Sequence, residues 1–419
     1  MAYYGATTPT PGAVWMKFPV LLILTFLVSP VLAEKLSLEQ VEQALGMKFN
    51  DAFRAEVTPL LKQYNRYREN KAMAVAIGEG NGITLGMGAD APSEIAAAMT
   101  AMQECNRYKE TQNITAPCEI VLLENLVVDL GRILRRGLAD ETPAFAWKVN
   151  GDKSSIYLVG TIHLLKSTLL PLAPVYDQLF NEVDQVAFEI NPLLQSDPQR
   201  MQLIESLTRA DPKLVKKALG RNLKKRLSRH LKSQGSNISG FYRIQPAITA
   251  LQVSQSRIAA LGYSGNLGLE MHYARQASAL GKAVLELESP TTGLEIFTQL
   301  PLSSQVVMLD ETLRQLDLAQ VGVGELIRAW LLGDVQRIYE LTSKDFQAIP
   351  ELSDIPDLLL GGRNEMWLEK IEGYLHLDRT TLVMVGSAHF GGERGLLQLL
   401  KSKGYDLVRY SRIGKELSL

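Results

Sequence analysis

The stretch Ser154-Ser155-Ile156-Tyr157-Leu158-Val159-Gly160-Thr161-Ile162-His163 decides how the rest of the chain is read. An apolar run with β-branched residues reads as a buried strand. It ends in a glycine, where the backbone can turn tightly, and an imidazole follows three residues later. The pattern returns as Thr381-Leu382-Val383-Met384-Val385-Gly386-Ser387-Ala388-His389. Two of the five histidines therefore hold matching positions. Ligands in open α/β sheets bind at the carboxyl ends of strands, which makes His163 and His389 candidate site residues. Two unrelated strand-ending histidines would explain one copy well and a matched pair less well.

Around these strands, strand and helix patterns alternate. Phe145–Val149 reads as an edge strand, joined to the first stretch by an Asn150-Gly151 hairpin turn. Gln185–Ile190 is another strand with Glu189 inside it. A carboxylate in an apolar strand needs a partner or a metal unless it faces water. If this strand lies beside that of His163, Glu189 reaches the same edge. Helical patterns fill 195–235, and another is expected from Arg243 past Pro246 to Ala260. Leu267-Gly268-Leu269-Glu270 opens a further helix, and Lys282–Glu288 is a strand, so Glu270 and Glu288 are further acid candidates. Helices over 303–346 are followed by one beginning at Arg363-Asn364, which leads into the strand before His389. The expected class is α/β, a mixed sheet flanked by helices.

Upstream, Lys71–Ile77, Ile83–Met87 and Cys118–Leu123 read as strands, the first two joined by a turn at Gly78–Gly82. An alanine-rich helix opens at Pro92-Ser93-Glu94, with Ser93 as a possible cap, and runs to about Lys109. This is a small ββαβ module. Cys105 and Cys118, the two cysteines of the chain, would tie its helix to its last strand; their spacing lacks the C-x-x-C form and nearby ligands of a metal site. A structural disulfide closing so short a loop is worth about 3 kcal/mol in the chain-entropy model.

The N-terminus has the form of an export signal. Met16-Lys17-Phe18 leads into an apolar run, Pro19–Val28, then a breaker and the small residues before Ala33. Met16 is the expected true start, and an uncleaved anchor is the alternative to cleavage after Ala33. The organisation expected is a signal peptide over 1–33, an N-terminal helix plus the ββαβ module over 34–140, and the α/β domain over 141–419. The setting is periplasmic or secreted, where a disulfide persists.

With 46% hydrophobic residues, 21% charged residues and a formal charge of −1, the chain offers nucleic acid no general attraction. Lys213–Lys232 carries nine cations and no acid, with leucines four apart at 219, 223, 227 and 231. That is an amphipathic basic helix pair; a solvated face is its usual role, and membrane contact through it or through the signal segment is the other.

Gly160-Thr-Ile-His163, Phe188-Glu189, Gly268-Leu-Glu270, Leu287-Glu288, Trp330-Leu-Leu-Gly-Asp334, Arg363-Asn364 and Val385-Gly-Ser-Ala-His389 together resemble the TraB/GumN family, over about residues 145–410. Its animal branch, Tiki, looks like metal-dependent proteases. The resemblance implies a divalent metal, manganese or cobalt, and a peptide or protein substrate. It implies His163 and His389 as ligands, with Glu189 as third ligand or general base. Arg363 would stabilise oxyanion charge and Asn364 would orient substrate or loop, while Glu270 and Glu288 support the site or act as alternative ligands. The family commonly has aspartate where Glu270 stands. Mixed imidazole and carboxylate donors suit a borderline first-row cation. The function expected is an exported metal-dependent hydrolase, most readily a peptidase. The alternatives are a metal-independent esterase-like hydrolase using histidine and glutamate, and a non-catalytic peptide binder.

Overall fold

Ser155–Thr161 forms a strand in which every residue from Ile156 onward is buried. Burial on both faces requires apolar side chains at odd and even positions alike, with helices covering both sides. The computed structural model describes residues 37–39, 42, 51–67, 71–77, 83–91, 94–114, 118–123, 126–127, 138–316 and 319–417. The export-type segment 1–33, the turn at 78–82 and the Ser93 cap lie outside the described residues.

Helix α1 (Asp51–Tyr64) precedes the small module. Strands β1 (Ala72–Ile77) and β2 (Ile83–Gly88) are followed by helix α2 (Glu94–Thr111), then β3 (Glu119–Leu123) and the short β4 (Leu126–Val127). The order is β2-β1-β3-β4, antiparallel throughout. Small residues allow the helix to lie close to the sheet: Ala97 and Ala101 pack with Ala72, Ala74 and Ala76. Cys105 is bonded to Cys118, with their Cα atoms 6.1 Å apart. The expected ββαβ module is present, with β4 added at its edge.

The main sheet has seven strands in the order β11-β10-β5-β6-β9-β7-β8. They are β5 (Pro143–Asn150), β6 (Ser155–Thr161), β7 (Gln185–Phe188), β8 (Ala283–Glu286), β9 (Thr381–Gly386), β10 (Leu407–Ser411) and β11 (Glu416–Leu417). Strands β6, β9, β7 and β8 are parallel, and β5, β10 and β11 run antiparallel, so the sheet is mixed. Two expectations are corrected. Strand β5 is not an edge, because β10 returns from the C-terminus to cover it. Nor does the strand before Glu189 lie beside that of His163: β9 sits between β6 and β7 and pairs with both.

The principal helices around this sheet are α3 (Pro174–Glu182), α4 (Gly220–Ser233), α5 (Pro246–Ala260), α6 (Leu269–Ala279), α7 (Leu302–Gln315), α8 (Ala319–Leu331), α9 (Val335–Gln347), α10 (Gly362–Leu375) and α11 (Leu396–Ser402). Helix α5 begins at Pro246 rather than at Arg243, since proline lacks an N–H and is suited to a helix's first position. The basic helix α4 turns Leu223, Leu227 and Leu231 into the core and leaves Arg221, Lys225, Arg229 and Lys232 exposed. Among the described residues no helix is long and apolar enough to cross a membrane. A π-helical turn, Asp357–Gly361, precedes α10.

Candidate functional site

Four parallel strands end at one edge of the sheet, and each delivers an ionisable side chain there. Strand β6 leads to His163, and β9 leads to His389 in the 3-10 turn Ser387–Phe390. Glu189 directly follows β7, and Glu288 lies just past β8. Because β9 is central, His389 and Gly386 lie between the other donors. The two histidine motifs therefore meet through their own strand pairing, in which Thr161 lies opposite Gly386.

The two motif glycines serve different ends. A Cβ on Gly160 would stand 2.6 Å from the Phe145 ring, so this glycine is a packing requirement of the core. A Cβ on Gly386 would stand 3.1 Å from His163 Nε2 and 3.3 Å from Glu189 Oε1. The imidazole and the carboxylate thus flank the bare Cα, and the Gly386 N–H donates to Glu189 Oε1 at 2.7 Å. Gly268 allows a third close approach. Its Cβ would fall 2.1 Å from the His163 carbonyl oxygen, so α6 starts directly against the histidine backbone. That places the Glu270 carboxylate against His163 Nδ1, where it also accepts the Thr161 hydroxyl. The Nδ1 atom is buried and makes no aligned hydrogen bond, so the carboxylate contact is a matter of position and charge.

Arg363 is the hub of the site, and all five of its N–H donors are engaged. Nε and Nη2 form a fork on Glu288 at 2.9 and 2.7 Å. Nη2 also donates to Glu189 Oε2 at 2.5 Å. Nη1 reaches the Leu359 carbonyl, which the π-helical turn supplies, at 3.1 Å, and His389 Nε2 at 3.3 Å. Glu288 accepts a further bond from Trp367 Nε1 at 3.0 Å, one turn along α10 from Arg363.

Asn364 fixes the state of His389. Its Nδ2 donates to the carbonyls of His389 and Arg394 at 3.0 and 2.8 Å, which turns Oδ1 toward His389 Nδ1 at 2.7 Å. Nδ1 must then carry the proton, leaving the Nε2 lone pair toward Arg363. Burial, with Arg363 and His163 nearby, pushes His389 down to about 3, although Glu189 opposes the shift. Burial would raise the Glu189 carboxyl, but Arg363, the two histidines and the Gly386 N–H outweigh it and hold it at about 2. Burial raises Glu288 despite its fork to Arg363. His163 is lowered by burial and more than restored by Glu270, ending above the ordinary imidazole value. At neutral pH the site therefore holds an ionised Glu189, a neutral His389 and a charged Arg363.

A pocket of about 80 Å³ opens from this cluster. His163, Glu189, Glu288, Arg363 and His389 line its charged end, and Ile258, Leu294, Val323, Leu326, Ile327 and Leu359 line its apolar end. His163 is the cluster's contact with solvent, with 22% of its side chain exposed against 2% for His389 and 3% for Glu189.

The donor set fits a divalent cation in kind. Each imidazole is approached from behind at Nδ1, by Glu270 or by Asn364, and Glu189 lies between them; supporting contacts of this sort orient metal-binding histidines. The set is not drawn to one point, however. Among the described residues no three His, Cys, Asp or Glu side chains stand at metal-holding distances. Ligation by His389 would also require Arg363 Nη1 to release Nε2.

Every residue expected at the site from the sequence, His163, Glu189, Glu270, Glu288, Arg363, Asn364 and His389, lies at this sheet edge. The other histidines lie elsewhere: His230 bonds Gln234, His272 bonds Gln276, and His376 is exposed beside Asp152. Thr161, Gly386 as a cradle, and Trp367 join the site without having been expected from the sequence. Only Trp367 carried a usable signal, since it stands four residues after Arg363 on a helix and so shares its face.

The sequence profile of the TraB/PrgY/gumN family matches residues 145–409. Neither a curated protein nor a solved structure matches the chain.

Proposed function

The chain belongs to the TraB/PrgY/gumN family, and from that premise we propose that it is a metal-dependent hydrolase that cleaves a peptide or protein outside the cytosol. The observation that carries the reading is the meeting of His163, His389 and Glu189 beside Gly386, at the ligand-binding edge of a parallel sheet. These three side chains would hold the cation, manganese or cobalt. When bound, the cation would polarise the scissile carbonyl and lower the proton affinity of a water.

The remaining roles belong to the chain's own residues. Glu270 and Asn364 hold the two imidazoles at Nδ1, which leaves each Nε2 as the atom that would ligate. Arg363 holds Glu189 ionised and in place. Its five donors are spent within the protein, so the oxyanion role expected from the sequence would need one of them released. The apolar walls keep water scarce around these charges, which strengthens each interaction. The Cys105–Cys118 bond and the apolar run 19–28 support an exported location.

One observation favours a second reading. Arg363 already supplies the positive charge that Glu189 and Glu288 need. His163, backed by Glu270, could then serve as general base without a metal. The test is incubation of untagged protein with a peptide mixture, followed by mass spectrometry of new termini. Products that appear with manganese or cobalt and vanish with chelator are expected. Chelator-resistant products would favour the second reading, and no products with any divalent cation would overturn hydrolysis altogether.

A further inference from the structure

The apolar end of the pocket is walled by residues of α5, α8, the π-helical turn and the short helix Thr292–Thr298. Ile258, Leu294, Val323, Leu326, Ile327 and Leu359 form its walls and are buried in the protein. Thr342 on the same wall spends its hydroxyl on the Ile338 carbonyl at 2.9 Å, so it adds no polar demand. A packed core closes such space with side chains, since interiors carry few voids larger than a water. Here the space adjoins five ionisable groups, among them His163, whose side chain is partly exposed.

We propose that this chamber receives one branched aliphatic side chain of the substrate, valine, leucine or isoleucine, and so sets where the chain is cut. The proposal rests on the hydrolase reading for the cut, though not for the binding. Size and polarity both argue for it. An apolar cavity of about 150 Å³ accommodates benzene; the whole pocket, charged end included, holds about 80 Å³, so its apolar end suits a short aliphatic group and is too small for phenyl or indole. An acidic side chain would lose its hydration without gaining a donor, because the apolar walls offer none and the Arg363 donors are already engaged. With each buried methylene worth about fourfold in affinity, leucine should exceed alanine by about 50-fold.

The test uses the full chain and a series of hexapeptides differing at one position: Ala, Val, Leu, Phe or Asp. Cleavage is measured with manganese or cobalt, and binding to the chelated protein is measured by calorimetry. Val323→Phe should fill the chamber and move the preference to alanine. Leu326→Ala should enlarge it and admit phenylalanine, which keeps the test open if the first variant does not fold. Cleavage with the aliphatic preference, shifted by either variant, supports the chamber. Cleavage indifferent to the varied residue overturns the chamber and leaves the hydrolase reading intact. Binding with the aliphatic preference but without cleavage supports the chamber and overturns hydrolysis. Neither binding preference nor cleavage overturns both.

Discussion

Arg363 Nη2 meets Glu189 Oε2 at 2.5 Å with both side chains almost wholly buried. Two charges removed from water at this depth are tolerated only when hydrogen bonding on both sides is nearly complete. Here it is: the guanidinium makes five hydrogen bonds to four residues, and Glu189 takes the Gly386 N–H on its other oxygen. The pair therefore holds the ends of β7 and β9 to the start of α10, and sequence-distant parts of the chain become one site.

Removing the guanidinium should be costly. Arg363→Met leaves Glu189 and Glu288 buried without their countercharge and should destabilise the protein by about 3–5 kcal/mol. Arg363→Lys should recover little, because an ammonium cannot fork onto Glu288 and reach Glu189 together. Adding Glu288→Gln to the Met variant should restore part of the loss. Urea denaturation of the three variants decides it, and a Met variant as stable as the parent would contradict the account.

The two motif glycines should respond oppositely to alanine. Gly160→Ala drives a methyl into the Phe145 ring within a packed core and should cost about 1–3 kcal/mol. Gly386 has an ordinary backbone conformation, φ −51° and ψ 135°, so alanine there adds no backbone strain and should cost less stability than at Gly160. Its methyl would instead press between His163 and Glu189, and peptide cleavage should fall by more than about tenfold. Melting temperatures and cleavage rates measured side by side would separate the two roles; equal losses of stability would show that the glycines are interchangeable.

Stability of the chelated protein should peak near neutrality. His389 titrates at about 3 in the fold, against an ordinary imidazole value of about 6.5. Between those values the unfolded chain binds a proton that the folded chain refuses, so stability falls as the pH drops from about 6.5 toward 3. Glu189, held at about 2, adds a second loss as the pH falls through the usual carboxyl range toward that value. His163 has the opposite sign. Its raised value stabilises fully below about 6.5, and that part is lost as the pH climbs through the folded value. Calorimetric melts across pH check this, and His389→Gln should flatten the slope between about 4 and 6.5. An unchanged slope would remove His389 as its source.

The strands and their histidine ends were legible because apolar runs and Gly-X-X-His spacing are local signals. Strand order was not. That β9 separates β6 from β7, and that β10 covers β5, follows from pairings between distant segments which no local pattern records. The identities of Arg363 and Asn364 could be picked out, but not that the arginine would spend every donor internally. That outcome depends on where α10 comes to rest against β8 and on the π-helical turn that presents the Leu359 carbonyl. Glycine roles were likewise invisible, since Gly160 and Gly386 occupy the same place in their motifs and differ only in their neighbours.

The most direct test of the account is metal content. Protein purified without a histidine tag, loaded with manganese or cobalt and passed through a desalting column, is assayed by inductively coupled plasma mass spectrometry beside His163→Asn, Glu189→Gln and His389→Asn. The account predicts about one ion per chain in the parent and a loss of most of it in each variant. Retention of the ion by all three variants, or none in the parent at saturating metal, would contradict it.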